Sequence, residues 1–113
     1  MPERFEETAE LRRLRKRIDA LDRRLVELLN ERASLAREAG RAKTAAGRRA
    51  VRDAEREREV LLRVSMANTG PLPQADLVAL YRRLFVATRA LETRDRAAMS
   101  PPRTPAPDPT DGG

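Results

Sequence analysis

The fold is decided by residues 11–32, which read LRRLRKRIDALDRRLVELLNER. Apolar residues recur in this stretch at intervals of three and four, which is the spacing of one face of an α-helix. The apolar stripe consists of Leu11, Leu14, Ile18, Leu21, Leu25 and Leu28, and it resumes with Leu35, Ala39 and Ala42. The pattern predicts one long helix from about residue 7 to about residue 45, with Gly47 as its stop.

One position of the stripe, between Leu28 and Leu35, is occupied by Arg32. A guanidinium group in an apolar seam is costly unless an anion or a hydrogen-bonded partner meets it, and the stripe itself carries no acidic residue. We therefore interpret Arg32 as part of a buried site for an anion supplied from outside. Two alternatives remain: the charge snorkels out of the seam, or the arginine is a polar residue that sets the register.

Two further helices are predicted, from about residue 50 to about residue 68 and from about residue 73 to about residue 96. The third helix carries the stripe Leu77, Leu80, Tyr81, Leu84, Phe85, Thr88 and Leu91. Residues 68–73 form a loop with Gly70 and two prolines, and no segment alternates as a strand does. The sequence predicts an all-α domain of three helices over residues 1–96. Residues 97–113 hold five of the eight prolines and read as a disordered tail.

Composition excludes several kinds of chemistry. The 113 residues contain no cysteine and no histidine, so thiol nucleophiles, histidine bases and the usual zinc sites are absent, and no metal or cofactor is expected. The net charge of +6 favours anionic partners, but 18 acidic residues are interleaved with the basic ones and aromatic residues make up 3%. Nucleic acid is therefore a disfavoured partner. With no secretory-type start and no membrane-length apolar run, we expect a cytoplasmic protein.

The length of the first helix predicts an assembly. A helix of this kind is about 55–60 Å long, whereas a compact domain of this size is only about 35 Å across. The helix must overhang its own domain, and an exposed apolar stripe of that length needs a cover. We expect an intertwined homodimer in which two long helices pack along each other.

The basic residues of the long helix predict where an anion binds. Arg32 and Lys43 are 11 residues apart, which is three turns and nearly the same face. Arg15 lies about 25 Å from Arg32 along the axis and cannot share that site within one chain. In an antiparallel pair of helices, Arg15 of one protomer can approach Arg32 and Lys43 of the other. The alternative is that Arg15 is an ordinary solvated charge.

Two groups on the later helices are further candidates. Asp53, Arg56 and Glu57 share one helix face, which predicts either a site or an intrahelical ladder of salt bridges. Thr88 and Glu92 lie one turn apart, with Glu92 beside the apolar stripe. A carboxylate in that position has a raised pKa when it is desolvated, unless it belongs to the solvated end of the helix.

Four strings, in this order, resemble the all-helical chorismate mutase family: LRKRIDALDRRLVELLNER, GRAK, AVRDAERERE and LFVATRALE. The resemblance covers about residues 11–94. It implies an enzyme that rearranges chorismate, a small dianion, to prephenate within a homodimer and without a cofactor.

The resemblance also implies a role for each candidate residue. Arg15 resembles the arginine that reaches into the partner's site. Arg32 and Lys43 resemble the two basic residues that hold the substrate. Asp53 resembles the carboxylate that contacts the ring hydroxyl. Arg56 and Glu57 match the next two polar positions, and Glu57 resembles the acid that also contacts that hydroxyl or the nearby lysine. Thr88 and Glu92 stand where many bacterial members have Ser and Gln, and this Thr/Glu pair resembles that of fungal members. The implied catalytic residues are Lys43, Glu92 and Arg32.

Two other functions stay open on the sequence alone. An enzyme acting on isochorismate or an amino-chorismate would use the same basic residues, and turnover of each substrate distinguishes them. A basic coiled-coil adaptor or nucleic-acid-binding module belongs to a different class. Such a module gains nothing from Arg32 beyond register, and salt-dependent binding of duplex DNA would favour it.

Overall fold

The computed structural model describes residues 7–48 and 52–99. Three helices account for most of them: α1 over Ala9–Ala45, α2 over Ala54–Ala67 and α3 over Gln74–Met99. The described ranges contain no strand, so the all-α prediction is confirmed. The chain divides into two compact units, of which the first ends at Ala36 and the second begins at Arg37. Each unit is described by itself.

The first unit contains the larger part of α1. Thr8 caps this helix: the Leu11 N–H donates to Thr8 Oγ1 at 3.1 Å and the Arg12 N–H to the Thr8 carbonyl at 3.0 Å. The large members of the apolar stripe are exposed, with 67% of Leu21 and 60% of Leu35 accessible. The unit therefore presents an apolar surface along one side of the helix, interrupted at Arg32.

In the second unit, α1 ends where the sequence predicts. Gly47 has a φ of +80°, a left-handed conformation that glycine adopts without steric cost. The Gly47 N–H donates to the Thr44 carbonyl at 3.0 Å and the Arg48 N–H to the Lys43 carbonyl at 2.9 Å. These two bonds satisfy carbonyl groups that the helix itself leaves unpaired, as in a Schellman motif.

The start of α2 differs from the prediction. The helix begins at Ala54 and not near Ala50, because Asp53 is its N-cap. One carboxylate oxygen of Asp53 accepts the Arg56 N–H at 3.0 Å, and the Asp53 carbonyl accepts the Glu57 N–H at 3.0 Å. An aspartate at this place satisfies a free N–H of the first turn, which favours ending the helix there over extending it backwards.

Helices α2 and α3 pack against each other. The Asn68 side chain organises the loop between them, because its Nδ2 donates to the Leu72 carbonyl at 3.0 Å and to Gln74 Oε1 at 2.7 Å. Phe85 is the most buried apolar side chain of the described residues, at 7% exposed. Its ring and the Tyr81 ring pack edge to face, with a centroid distance of 6.3 Å and an interplanar angle of 68°.

Helix α3 continues to Met99, three residues beyond the predicted end at Arg96. Alanine and methionine are strong helix formers, so Ala97, Ala98 and Met99 extend the helix and do not begin a tail. The rest of the predicted tail, residues 100–113, lies outside the described residues, and its disorder stays a prediction. Within the described residues no helix is both long and apolar enough to span a bilayer.

Candidate active site

Four of the predicted site residues lie near one another in the second unit: Lys43, Asp53, Glu57 and Glu92, which we call the Lys43 cluster. Their charges act on one another. The Lys43 charge lowers the pKa of both Asp53 and Glu92, and the Glu57 charge acts to raise that of Glu92. The cluster joins the end of α1, the start of α2 and the second half of α3. It combines one ammonium group with three carboxyl groups.

Glu92 is the buried member of the Lys43 cluster, with 9% of the residue exposed. Burial raises the pKa of Glu92 above its ordinary value, and the neighbouring carboxylates of Asp95 and Glu57 act in the same direction. The positive charges of Lys43 and Arg96 oppose the shift but do not reverse it. The position of Glu92 beside the apolar stripe predicts a raised pKa, and this prediction is confirmed. The alternative, a solvated helix end at Glu92, is wrong.

Gly40 makes room for the Glu92 side chain. A Cβ atom at Gly40 would lie 3.1 Å from Glu92 Cγ and 3.3 Å from Glu92 Cδ, which is tighter than ordinary van der Waals contact. The carboxyl-bearing side chain therefore packs directly on the α1 backbone. The sequence alone indicates only that a mid-helix glycine weakens α1, and the structure shows why the position accepts that cost.

Asp53 has the opposite electrostatic character. The hydrogen bond from the Arg56 N–H lowers the pKa of Asp53, and the charges of Lys43, Arg48 and Arg56 add to this effect against burial. The pKa of Asp53 is therefore shifted down and that of Glu92 is shifted up. Two carboxyl groups of one cluster can thus take different roles, one accepting a hydrogen bond and the other donating.

Glu57 is held by an arginine of α3. Arg89 Nη1 donates to Glu57 Oε1 at 3.0 Å and to Oε2 at 2.7 Å. The Nε of Arg52 lies 3.6 Å from Glu57 Oε1. This pairing differs from the predicted intrahelical ladder, because the main partner of Glu57 is on the neighbouring helix and 32 positions away in sequence.

A second clamp lies beside Glu92. Arg37 donates twice to Asp95, from Nε to Oδ2 at 2.9 Å and from Nη2 to Oδ1 at 2.8 Å. This two-nitrogen geometry is the rigid form of an arginine–carboxylate pair, and it ties the end of α1 to the end of α3. Both residues line a narrow cleft, whose walls are Arg37, Gly40, Arg41, Lys43, Thr44, Glu92, Asp95, Arg96 and Met99. The basic residues outnumber the acidic ones there, so the cleft attracts anions.

Two other predicted site residues of the second unit, Arg56 and Thr88, are not members of the Lys43 cluster. Arg56 is exposed, and its Nη1 donates to Glu59 Oε1 at 3.2 Å, so its guanidinium takes part in a surface ion pair. Ion pairs do run along α2, since Arg63 also pairs with Glu59 at 2.6 Å, but they join other residues than the predicted ladder of Asp53, Arg56 and Glu57. Thr88 is partly buried and lies one turn before Glu92 on α3.

Arg15 and Arg32 belong to the first unit. Arg15 is exposed and its Nη1 donates to Glu7 Oε1 at 2.7 Å. Arg32 is partly buried. Their predicted roles toward a ligand remain predictions.

Four residues with clear structural roles carry no assignment from the sequence: Arg37, Gly40, Arg89 and Asp95. The two arginine–carboxylate pairs join residues 58 and 32 positions apart, and no local spacing marks either pair. The one available signal is Gly40, because a glycine within a helix often marks a close approach of another element.

The chain matches known proteins over most of its length. A model of the chorismate mutase type II family matches residues 14–93. The bifunctional chorismate mutase/prephenate dehydratase of Stutzerimonas stutzeri is 38% identical over 100 residues, which cover 85% of this chain and 27% of that protein. The bifunctional chorismate mutase/prephenate dehydratase of Aquifex aeolicus is 38% identical over 98 residues, which cover 83% of this chain and 27% of that protein. The chain thus spans about a quarter of the length of these relatives.

A solved structure shows the same fold. Chorismate mutase (form II) from Thermus thermophilus superposes with a TM-score of 0.71 at 35% sequence identity, covering 75% of this chain and 96% of that one. The family model includes most of α1, all of α2 and most of α3. By sequence and by fold, this chain belongs to the chorismate mutase type II family.

Proposed function

We propose that this chain is a chorismate mutase, which rearranges chorismate to prephenate by electrostatic stabilisation of a pericyclic transition state. The observation that carries the proposal is Glu92, a buried carboxyl group with a raised pKa that packs on Gly40 within range of the Lys43 charge. A protonated acid next to an ammonium group gives two hydrogen-bond donors in one place. Such donors are what a developing oxyanion requires.

The reaction requires that the substrate be positioned and that its developing negative charge be stabilised. It requires neither a nucleophile nor a base. Within one molecule a C–O bond breaks while a C–C bond forms, and negative charge builds on the ether oxygen in the transition state. In the proposed site, Lys43 and protonated Glu92 donate hydrogen bonds to that oxygen. Because the substrate must be held in a compact conformation for the two carbon atoms to meet, groups that orient it contribute as much as those that stabilise charge.

The remaining proposed contacts fix the substrate. Arg32 binds one substrate carboxylate, since a guanidinium group fits a carboxylate with two parallel hydrogen bonds. The ionised Asp53, together with Glu57, accepts from the ring hydroxyl. Thr88 supplies a hydroxyl group one turn from Glu92, and the Thr/Glu combination resembles the fungal members of the family. Arg56 completes the set after a rotation of its side chain away from Glu59.

Turnover of chorismate by the purified protein tests the proposal. We expect loss of chorismate absorbance with formation of an equal amount of prephenate. Parallel assays with isochorismate and an amino-chorismate distinguish a relative with another substrate. Binding of duplex DNA without any turnover of these three compounds would contradict the proposal and favour a basic adaptor.

Dimerisation is the first prediction from this proposal. The exposed stripe of α1, with Ile18 at 54% and Leu21 at 67%, needs an apolar cover that a second copy of the same stripe supplies. Sedimentation equilibrium should give about twice the monomer mass of 12.7 kDa. Leu21→Glu, which puts a charge into the stripe, should shift the protein towards the monomer, whereas Arg23→Ala on the opposite side of the helix should not. A folded monomer of the parent at micromolar concentration contradicts the prediction.

Subunit complementation tests whether Arg15 serves the partner's site. Arg15→Ala and Arg32→Ala homodimers should each have low activity, since every site lacks one arginine. A heterodimer of the two contains one site with both arginines and one with neither. Mixing should therefore restore activity towards half of the parent value per heterodimer. Verified subunit exchange without recovery would show that both arginines act within one chain. An Arg15→Ala homodimer with the activity of the parent would show that Arg15 is only a solvated charge.

A further inference from the structure

The contact between Glu57 and Arg89 joins α2 to α3. A single nitrogen atom, Arg89 Nη1, donates to both carboxylate oxygens at 3.0 and 2.7 Å. Both side chains are mostly buried, with 17% of Glu57 and 27% of Arg89 exposed. Glutamate has three rotatable bonds, and this contact fixes the direction in which its carboxylate points. The orientation of Glu57 therefore depends on a residue of another helix.

The location of the contact gives it a chemical consequence. Glu57 belongs to the Lys43 cluster, and its charge reaches Glu92. On the other side, Glu57 and Arg89 line an open cleft between α2 and α3, together with Arg52, Arg58 and Arg82. Without a fixed partner, the Glu57 carboxylate could turn towards any of these exposed arginines and away from the cluster.

We propose that Arg89 is a positioning residue, which holds the Glu57 carboxylate in the orientation that receives the ring hydroxyl of the substrate. This inference rests on the proposed function, because it assigns Glu57 to the substrate. Arg89 itself contacts no substrate atom and acts through Glu57. A hydroxyl contact of this kind exists both in the bound substrate and in the transition state, so its loss affects KM more than kcat.

The geometry separates this role from that of a simple helix clamp. In the Arg37–Asp95 pair, two nitrogens of Arg37 donate to two oxygens of Asp95. Only arginine provides two such nitrogens on one side chain. The Arg89–Glu57 pair uses one nitrogen, and a lysine ammonium group also offers one nitrogen with several hydrogens. Lysine should therefore replace Arg89 in its positioning role but should not replace Arg37 in its clamp.

The experiment compares Arg89→Met, Arg89→Lys and the control Arg82→Met, each in the parent and in a Glu57→Gln background. Arg82→Met removes the same charge from the same helix and the same cleft. We expect Arg89→Met to raise KM for chorismate roughly tenfold, the order for one hydrogen bond to a charged group. Arg89→Lys should recover most of this loss, and Arg82→Met should show no change. In the Glu57→Gln background, Arg89→Met should have little further effect.

Thermal melting of every variant accompanies the kinetics. If Arg89→Met is not folded at the assay temperature, Arg89→Gln takes its place with the same expectations. Equal KM values for the folded variant and the parent overturn the inference, and so does an equal loss in both Glu57 backgrounds. A parent without mutase activity overturns the proposed function instead, so the two failures are distinguishable.

Discussion

Lys43→Met should lower kcat for chorismate by about 10²-fold or more, with a smaller change in KM, because removal of one donor to a developing oxyanion costs about 10²–10³-fold. Lys43 is assigned to the charge that builds on the ether oxygen as the C–O bond breaks. That charge is small in the bound substrate, so the interaction is made mainly in the transition state. Methionine keeps the length of the side chain and removes the ammonium group. Steady-state kinetics of the purified variant gives the result.

Arg41→Met is the matched control for this prediction. Arg41 lies two residues before Lys43, is exposed and lines the same cleft. Its replacement removes one positive charge from the same turn of α1 without removing the proposed donor. We expect kcat close to that of the parent. A loss in Arg41→Met as large as in Lys43→Met would assign the effect to the general field of the cleft. A Lys43→Met enzyme with unchanged kcat would show that Lys43 is not the donor.

Local sequence signals predict the helices well. The apolar stripes give the extent of α1 and α3 to within a few residues, and Gly47 marks the end of α1 because its φ of +80° suits glycine. The predicted start of α2, near Ala50, lies before the observed start at Ala54. The capping role of Asp53 explains this difference, since an aspartate just before a helix serves equally as a cap and as a first-turn residue in sequence.

Contacts between helices are what the sequence does not predict. Asp95 has Arg94 and Arg96 as its direct neighbours in sequence, yet its partner Arg37 lies 58 positions away. Glu57 likewise has Arg52, Arg56 and Arg58 nearby in sequence, yet it pairs chiefly with Arg89. In a chain with 24 basic and 18 acidic residues, local spacing offers too many equivalent partners to select one. Packing of α2 on α3 selects the partner of Glu57, and the approach of the end of α1 to α3 selects the partner of Asp95.

The burial of Glu92 is predictable from the sequence, but the contact that causes it is not. Its place beside the apolar stripe predicts desolvation, which the structure confirms at 9% exposure. The cause of the deep burial is Gly40, which lets the side chain contact the α1 backbone, and no local pattern connects these two residues. The raised pKa of Glu92 is thus predictable from the pattern of α3, whereas the surface that buries its side chain belongs to α1.

Glu92→Ala should lower turnover by about 10²-fold or more, the order for deleting one transition-state donor. Glu92→Gln should keep substantial activity, because the amide preserves the shape and a hydrogen-bond donor. The two enzymes should differ from the parent in their pH profiles. Burial raises the pKa of Glu92, so the parent holds the donating, protonated form to a higher pH than an exposed glutamate does. Parent turnover should fall as pH rises through that pKa, and Glu92→Gln turnover should not.

Stability gives an independent measurement of the same titration. Because the folded pKa of Glu92 lies above the unfolded value, the folded protein binds more protons between the two values, and the free energy of unfolding falls as pH rises across that window. Glu92→Gln removes this slope, so its Tm should exceed that of the parent above the window and not below it. Asp53 and Asp95, whose pKa values are lowered, give the opposite slope in both proteins and cancel in the comparison. Parallel Tm curves together with identical pH–rate profiles would mean that Glu92 does not titrate in the site and that another group donates to the ether oxygen.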